Sequence, residues 1–263
     1  MTFADYLQLD GLNWSKLKHM RDSPAAFIWH AENDTADTDT LALGRLVHTL
    51  VFEPEREELD YAVWHGRRQG KAWDDFQAHH AKMTIVTTTD YGTAVDMADA
   101  VRCSQLAAPY LTEAEFEKTL QWIDTLTGIR CKARADILQP NRRVLADLKT
   151  CVSIDARRFG SSAARLGYAG QIAHYGAGVR HSLGWAPEKC AVIAVEKKPP
   201  HEVAVFTFTL EQLDTAAEEV AMLMARVQEC QQSGEWPGRY TEEVALQLPA
   251  YVDGDIEIEF AEE

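Results

Sequence analysis

The sequence predicts an α/β fold in which a mixed central sheet is flanked by helices. Two observations carry this. Helical and strand-like segments alternate along the chain, which favours layers of helices over a sheet. An alternating run, Ile129–Leu138, is joined to a short apolar run, Val144–Leu148, by the turn-forming segment Gln139-Pro140-Asn141-Arg142-Arg143. Apolar residues make up 46% of the 263, so a large core can be buried. No repeat or low-complexity linker divides the chain. Residues 1–263 read as a single domain, with an N-terminal helical arm over about 1–40 and an acidic tail over about 236–263.

The elements follow in order. Asn13–Phe27 is short helix or turn, punctuated by Ser23-Pro24, and Glu32–Thr40 is a polar loop that ends by capping a helix. In Leu41–Phe52 the residues Leu43, Leu46, Val47 and Leu50 form one apolar stripe, and Glu53-Pro54 stops the helix. Tyr61–Trp64 is strand-like, while the polar and aromatic stretch Trp73–His80 matches neither period. Asp90–Leu111 is helical, with Val95, Ala98, Val101 and Cys103 at apolar positions, and Glu115–Ile123 alternates as a strand. Ala156–Leu183 is a long helical region with a break expected near Gly160 or Gly167. Ala191–Val195 and Val203–Thr209 are strands, and Glu211–Gln232 is an amphipathic helix.

Composition excludes several classes. No apolar run reaches membrane-spanning length, and Met1–Asp5 lacks the pattern of a secretion signal, so no membrane and a cytoplasmic location are expected. The cysteines, Cys103, Cys131, Cys151, Cys190 and Cys230, lack metal-site spacing and read as reduced thiols. The net charge of −15 argues against a protein that coats DNA nonspecifically. Yet Leu126–Gly170 holds nine Lys/Arg and three Asp, a net +6 against −21 elsewhere. Such an asymmetry draws a polyanion to one place.

That basic window contains the most informative pair in the chain. If Pro140–Arg143 forms a four-residue hairpin loop, Gln139 pairs with Val144 and Asp136 falls opposite Asp147. Cross-strand Cβ atoms in this relation lie roughly 4.5–5.5 Å apart, where like charges repel. Two carboxylates so held need a cation or a shared proton. Lys149 lies on the same face as Asp147. Two acids and an ammonium describe a divalent-metal phosphodiesterase site, in which the acids hold Mg²⁺ and the lysine orients or activates the attacking water. The bland alternative is a charged surface hairpin, since Asp-x-Lys is a common tripeptide.

Other residues point the same way. Tyr168, Gln171 and Tyr175 share one helix face, suited to phosphate hydrogen bonding and base stacking or else to an ordinary half-buried packing face. His48 lies on the apolar side of its helix, either as a core histidine or as a neutral imidazole ligand. As a ligand with an unperturbed pKa it would make activity fall below about pH 6.5 through protonation of the ring. Glu117 precedes the hairpin and offers a third carboxylate, with Glu113 and Glu115 as competitors. Arg134 and Arg165, with Arg157 and Arg158, are cationic candidates for DNA contact.

The order Gly44-x-x-x-His48, Glu117, Asp136, Asp147-x-Lys149, Gln171-x-x-x-Tyr175 resembles the RecB-like branch of the PD-(D/E)xK nuclease superfamily. Within that branch the chain is most similar to RecE-type (exonuclease VIII) phage and prophage exonucleases. GRLVHTLVFEP, TGIRCKARAD, DLKT, YAGQIAHY and VEKKPP carry the likeness over nearly the whole chain. Ala135 stands where the family motif has proline, a backbone device and not a ligand.

The resemblance implies a PD-(D/E)xK core acting as one stand-alone nuclease domain. It assigns metal binding to His48, Asp136, Asp147 and the Leu148 carbonyl, with Mg²⁺ as cofactor and Mn²⁺ able to substitute. Lys149 would position the water, Glu117 would be a supporting acid, and Gln171 and Tyr175 would contact DNA near the scissile phosphate. It further implies 5′-to-3′ digestion of double-stranded DNA ends, a homo-oligomeric ring with a tetramer favoured, and a single-strand annealing recombinase as partner. An endonuclease or resolvase using the same chemistry, or an inactive DNA-end-binding relative, remains open. The presence of Asp136, Asp147 and Lys149 together argues against the inactive relative.

Overall fold

The computed structural model describes residues 1–33 and 38–246. Part of the Glu32–Thr40 loop and the acidic end of the tail lie outside the described residues. The chain begins with α1 (Phe3–Gln8), α2 (Trp14–Leu17), α3 (Pro24–Glu32), α4 (Asp39–Phe52) and α5 (Glu57–Asp60). Next come β1 (Tyr61–Trp64), α6 (Lys71–His79), β2 (Thr84–Thr87), α7 (Thr88–Cys103) and α8 (Ala108–Leu111). The central part is β3 (Glu115–Ile123), β4 (Arg130–Gln139), β5 (Val144–Cys151), α9 (Ala156–Leu166) and α10 (Tyr168–Leu183). It closes with β6 (Lys189–Glu196), β7 (Val203–Thr207) and α11 (Leu210–Ser233).

Local chemistry sets these boundaries. Thr38 accepts the Leu41 amide and starts α4, and Thr209 with Gln212 forms a capping box for α11. The expected break after α9 falls at Gly167, whose φ of 75° is the left-handed conformation that favours glycine. Gly160 lies inside α9. The helix expected over Asp90–Leu111 stops at Cys103, which is exposed, and only a short turn, α8, follows. Trp73–His80, which matched no period, falls on α6 and its C-cap residue, and β1 pairs in parallel with β2.

The main sheet runs β3-β4-β5-β6-β7. Only β5 and β6 are parallel, joined through α9 and α10, as a parallel pair requires. The other neighbours are antiparallel. One core lies between the sheet, α4 and α7, around Leu46, Met97, Ile137 and Leu148. The other lies between the sheet, α10, α11 and the N-terminal segment, around Trp14, Leu17, Leu120, Leu145 and Ile172. The segment expected as an arm therefore contributes Trp14, Leu17, Met20 and Phe27 to a core. Both faces of β4 are covered, so Lys132, Arg134 and Asp136 are buried despite its alternating sequence. Among the described residues no helix is long and apolar enough to cross a membrane.

The hairpin has the expected register, with Gln139 opposite Val144, Leu138 opposite Leu145 and Ile137 opposite Ala146. Pairing then stops one position short of Asp136 and Asp147. The β3–β4 ladder has a gap at the same level, between Phe116–Ile137 and Lys118–Ala135. There Glu117 takes a φ of 50°, rare for a residue with a side chain. Ala135 and Ile137, two apart, join opposite cores, so β4 turns over at Asp136.

Gly170 tests how the N-terminal segment is seated. A Cβ there would stand 2.2 Å from the Trp14 ring. Gly170→Ala gains helix propensity of about 1 kcal/mol but overpacks a buried site by about 1–3 kcal/mol. A fall of a few degrees in Tm is expected by calorimetry. An unchanged or raised Tm would show that Trp14 does not pack against α10.

Candidate active site

The gap in the ladder is where the acids collect. Glu117 comes from β3, Asp136 from β4 and Asp147 from β5. α4 brings His48 over them from one side and α10 brings Gln171 and Tyr175 from the other. Because pairing is broken, the Leu148 amide donates to Asp136 Oδ2 at 2.8 Å instead of to a backbone carbonyl. This bond holds the carboxylate where the register argument placed it, beside β5.

His48 is oriented by the same strand. Its Nε2 lies 2.8 Å from the Leu148 carbonyl, so Nε2–H donates and the tautomer is set. Nδ1 then faces the acids, 3.5 Å from Asp136 Oδ2 and 3.6 Å from Glu117 Oε1. The three donor atoms lie within 4.8 Å of one another. One imidazole nitrogen with two carboxylate oxygens suits a hard divalent cation. The Leu148 carbonyl, assigned to metal by the resemblance, serves here as the acceptor for His48.

Asp147 lies on the other side of Asp136. Its Oδ2 is 2.6 Å from Lys149 Nζ, as their shared strand face implies. Gln171 Nε2 donates to Asp147 Oδ1 at 2.8 Å and to the Tyr175 hydroxyl at 3.1 Å. Gln171 and Tyr175, expected at DNA, are thus placed against the acid that flanks the donor cluster. Tyr168 lies below Lys149, whose Nζ is 5.2 Å from the ring centroid. Arg165, with Arg157 and Arg158, is exposed on one side of α9, opposite buried Phe159.

Arg134 differs from expectation. It is only 6% exposed and points inward. Nε donates to Glu117 and Nη2 donates to Glu53 Oε2 at 2.6 Å. A guanidinium held by two carboxylates orients Glu117 and is turned away from solvent, so in this structure it is a positioning residue and not a DNA contact. Glu53, which follows the end of α4, was not anticipated. Its partner is 81 positions away, and no local spacing marks such a pair.

The charges explain the protonation of the cluster. Burial, then the charges of Asp147 and Glu117, push Asp136 up to about 8. Burial pulls His48 down, but Asp136 and Glu117 outweigh it and raise it to about 9. For Glu117 burial acts upward, yet His48 and Arg134 hold it below the usual range. Burial also opposes the charge on Lys149, which Asp147 and Asp136 nevertheless keep above its ordinary value. The threshold near pH 6.5 expected for an unperturbed His48 does not apply here.

An α/β fold that gathers acids at a break between adjoining strands, with a lysine two residues beyond the last acid, is the PD-(D/E)xK class. Residues 13–247 match the PDDEXK-like domain of unknown function (DUF3799), and the chain belongs to that family. No curated protein matches the sequence. The crystal structure of a protein named "Putative exonuclease" from Eubacterium rectale shares the fold at 14% identity and a TM-score of 0.64. The match covers 95% of this chain and 96% of that one. A phage related exonuclease from Haemophilus somnus is 11% identical with a TM-score of 0.38, over 88% of this chain and 100% of its own.

The proton on His48 stabilises the fold fully below pH 6.5, and this is lost as pH rises to about 9. Ionising buried Asp136 costs stability increasingly from pH 3.8 to about 8. Metal-free protein should therefore lose Tm between pH 6.5 and 9. A divalent ion must replace these protons, so the Tm increase on adding Mn²⁺ should be larger at pH 8.5 than at pH 6. Calorimetry near neutral pH should detect about two protons released per ion. Equal Tm increments at both pH values, with no proton release, would contradict the ligand assignment.

Proposed function

We propose that this chain is a metal-dependent deoxyribonuclease that degrades double-stranded DNA from its ends. The observation that carries the reading is the meeting of His48, Glu117 and Asp136 beside the Asp147–Lys149 pair. Mg²⁺ is the proposed cofactor, with Mn²⁺ able to replace it. A divalent ion at this cluster would polarise a phosphodiester and acidify the attacking water. Lys149, kept charged by its neighbours, would donate to that water or to a phosphate oxygen. Gln171 fixes Asp147 and donates to the Tyr175 hydroxyl, and both side chains would contact the DNA near that phosphate. His48 would present Nδ1 to such an ion, because the Leu148 carbonyl holds Nε2–H.

The finer assignments rest on the RecE-type resemblance and on charge. Digestion proceeds 5′ to 3′ and leaves 3′ single strands for a single-strand annealing recombinase in the cytoplasm. The subunits form a closed ring, a tetramer by preference, with DNA in the channel. The exposed α9 arginines support this reading, because they gather positive charge beside the site on an acidic subunit.

End-labelled linear duplex and covalently closed circles separate this reading from an endonuclease. Linear DNA should be digested with Mg²⁺ present while circles resist. Light scattering should give a mass several times 29.5 kDa. A monomer that cuts circles as readily as linear DNA would overturn the end-dependent reading.

Two substitutions separate the roles within the site. Lys149→Ala should lower turnover about 100-fold or more while metal-induced thermal stabilisation persists. Asp136→Ala, which removes a carboxylate of the donor cluster, should lower turnover and metal stabilisation together. Near wild-type turnover of Lys149→Ala would remove the lysine from the chemistry.

A further inference from the structure

The β1–α6–β2 unit lies outside the acid cluster and has no part in the chemistry above. Its connecting loop, His65-Gly66-Arg67-Arg68-Gln69-Gly70-Lys71, is exposed throughout and contains three Lys/Arg and no acid. Beneath it Trp64, Trp73 and Phe76 form an aromatic group, with Trp64 centred 5.5 Å from Trp73 and 4.9 Å from Phe76. Trp73 and Gln77, at i and i+4, share one face of α6. That face and His80, the C-cap that follows the helix, line a cleft of about 420 Å³ whose other side includes Thr38, Asp39 and Arg68. The Arg68 guanidinium sits 5.9 Å from the Trp73 ring centroid and donates to Asp39 Oδ1 at 3.0 Å. Among the described residues no ion pair engages Arg67 or Lys71.

We infer that this cleft binds an unpaired nucleotide of single-stranded DNA, with the base against Trp73 and the backbone along Arg67 and Lys71. An aromatic face beside a cationic loop is the combination that holds a single strand, because every unpaired base offers a π-face. A duplex keeps its bases stacked and offers such a cleft only phosphates. Gln77 and His80 line the same cleft and supply hydrogen-bonding groups for a base edge. Asp74 and Asp75 lie off the Trp73–Gln77 face, so the cleft side of α6 carries no acid of its own.

The position suits a strand that also meets the acid cluster. Asp39 begins α4 and His48 is nine residues further along it, about 14 Å at the helical rise. That distance is about four nucleotide steps of a stacked strand. The placement as a subsite of a nuclease rests on the function proposed above, whereas binding of the strand does not.

The test is fluorescence anisotropy of the full chain with labelled oligothymidylate of about 16 nucleotides in EDTA, where no cutting occurs. Wild type should bind this strand more tightly than a blunt duplex of equal length. Trp73→Ala should weaken binding about tenfold, and Trp73→Phe, which keeps a stacking ring, should restore most of it. Arg67→Ala/Lys71→Ala changes only exposed side chains and should flatten the dependence of log K on log salt by about 0.7 for each charge removed. Wild-type affinity and salt dependence in both Trp73→Ala and the double variant would overturn the proposal, as would a loss that phenylalanine fails to restore. Failure of the nuclease reading would be seen separately, as a wild type that binds the strand through Trp73 but never cuts DNA with metal present.

Discussion

Glu117, Asp136 and Asp147 reach the interior from three adjoining strands, and the charge they bring there must be balanced. Each additional buried carboxylate costs several kcal/mol unless a cation or proton answers it. The neighbours supply that balance in layers. Arg134 answers Glu117 and Glu53, Lys149 answers Asp147, and protonated His48 stands beside Asp136. With Asp136 protonated and His48 charged, three carboxylates face three cations. Replacing those two protons by one divalent ion leaves four carboxylates facing Arg134, Lys149 and two metal charges. Either arrangement is neutral, so the site can exchange protons for metal without stranding charge in a low-dielectric interior.

The same constraint accounts for the irregular backbone. A continuous ladder would place three acids side by side and leave them only one another as neighbours. Breaking it at Glu117 and Asp136 frees the Leu148 amide for a carboxylate and the Leu148 carbonyl for His48. One residue of β5 thus positions both an acid and the imidazole through its backbone alone. The turnover at this level also lets β4 serve two cores, with Ala135 and Ile137 facing opposite ways. Nearby, buried Lys132 donates to the carbonyls of Tyr6, Leu7 and Leu9 at 3.1, 3.2 and 2.7 Å, where α1 ends. An ammonium at a helix C-terminus opposes the unpaired carbonyls there, and it ties the N-terminal segment to the strand that carries Asp136.

What the sequence reveals follows from the range of the interactions involved. The hairpin register was legible because Pro140 and the apolar runs around it are local, and strand parity then put Asp147 and Lys149 on one side. Helix α4 was legible from its apolar stripe and its ends, α11 from its amphipathic period, and α9 with α10 as one helical region broken at a glycine. The break at Asp136 was not, since a run that alternates cleanly carries no mark of a turned strand. Arg134 read as a DNA contact because charged residues are usually exposed. Only tertiary structure shows that Glu53 and Glu117 enclose it. The α6 unit escaped assignment because its aromatic residues pack on one another across a small satellite group, and so impose no stripe of the usual kind.

That satellite also changes how the charge asymmetry should be understood. The +6 window suggested a single basic region beside the acids, but its nine cations have different fates. Lys132 and Arg134 are buried structural partners, Lys149 belongs to Asp147, and Arg143 pairs with Glu188 on the surface. The cations of the window left facing solvent near the site are chiefly those of α9. Arg67 and Lys71, which no ion pair engages among the described residues, add positive charge from outside the window, in the loop whose Arg68 pairs with Asp39 at the start of the helix that carries His48. Counting charge along the chain therefore overstates one basic surface and misses another. A polyanion would meet α9 after the β5 strand and the β1–α6 loop beyond the start of α4, with the acids between them in sequence order and His48 linking the second surface to the first.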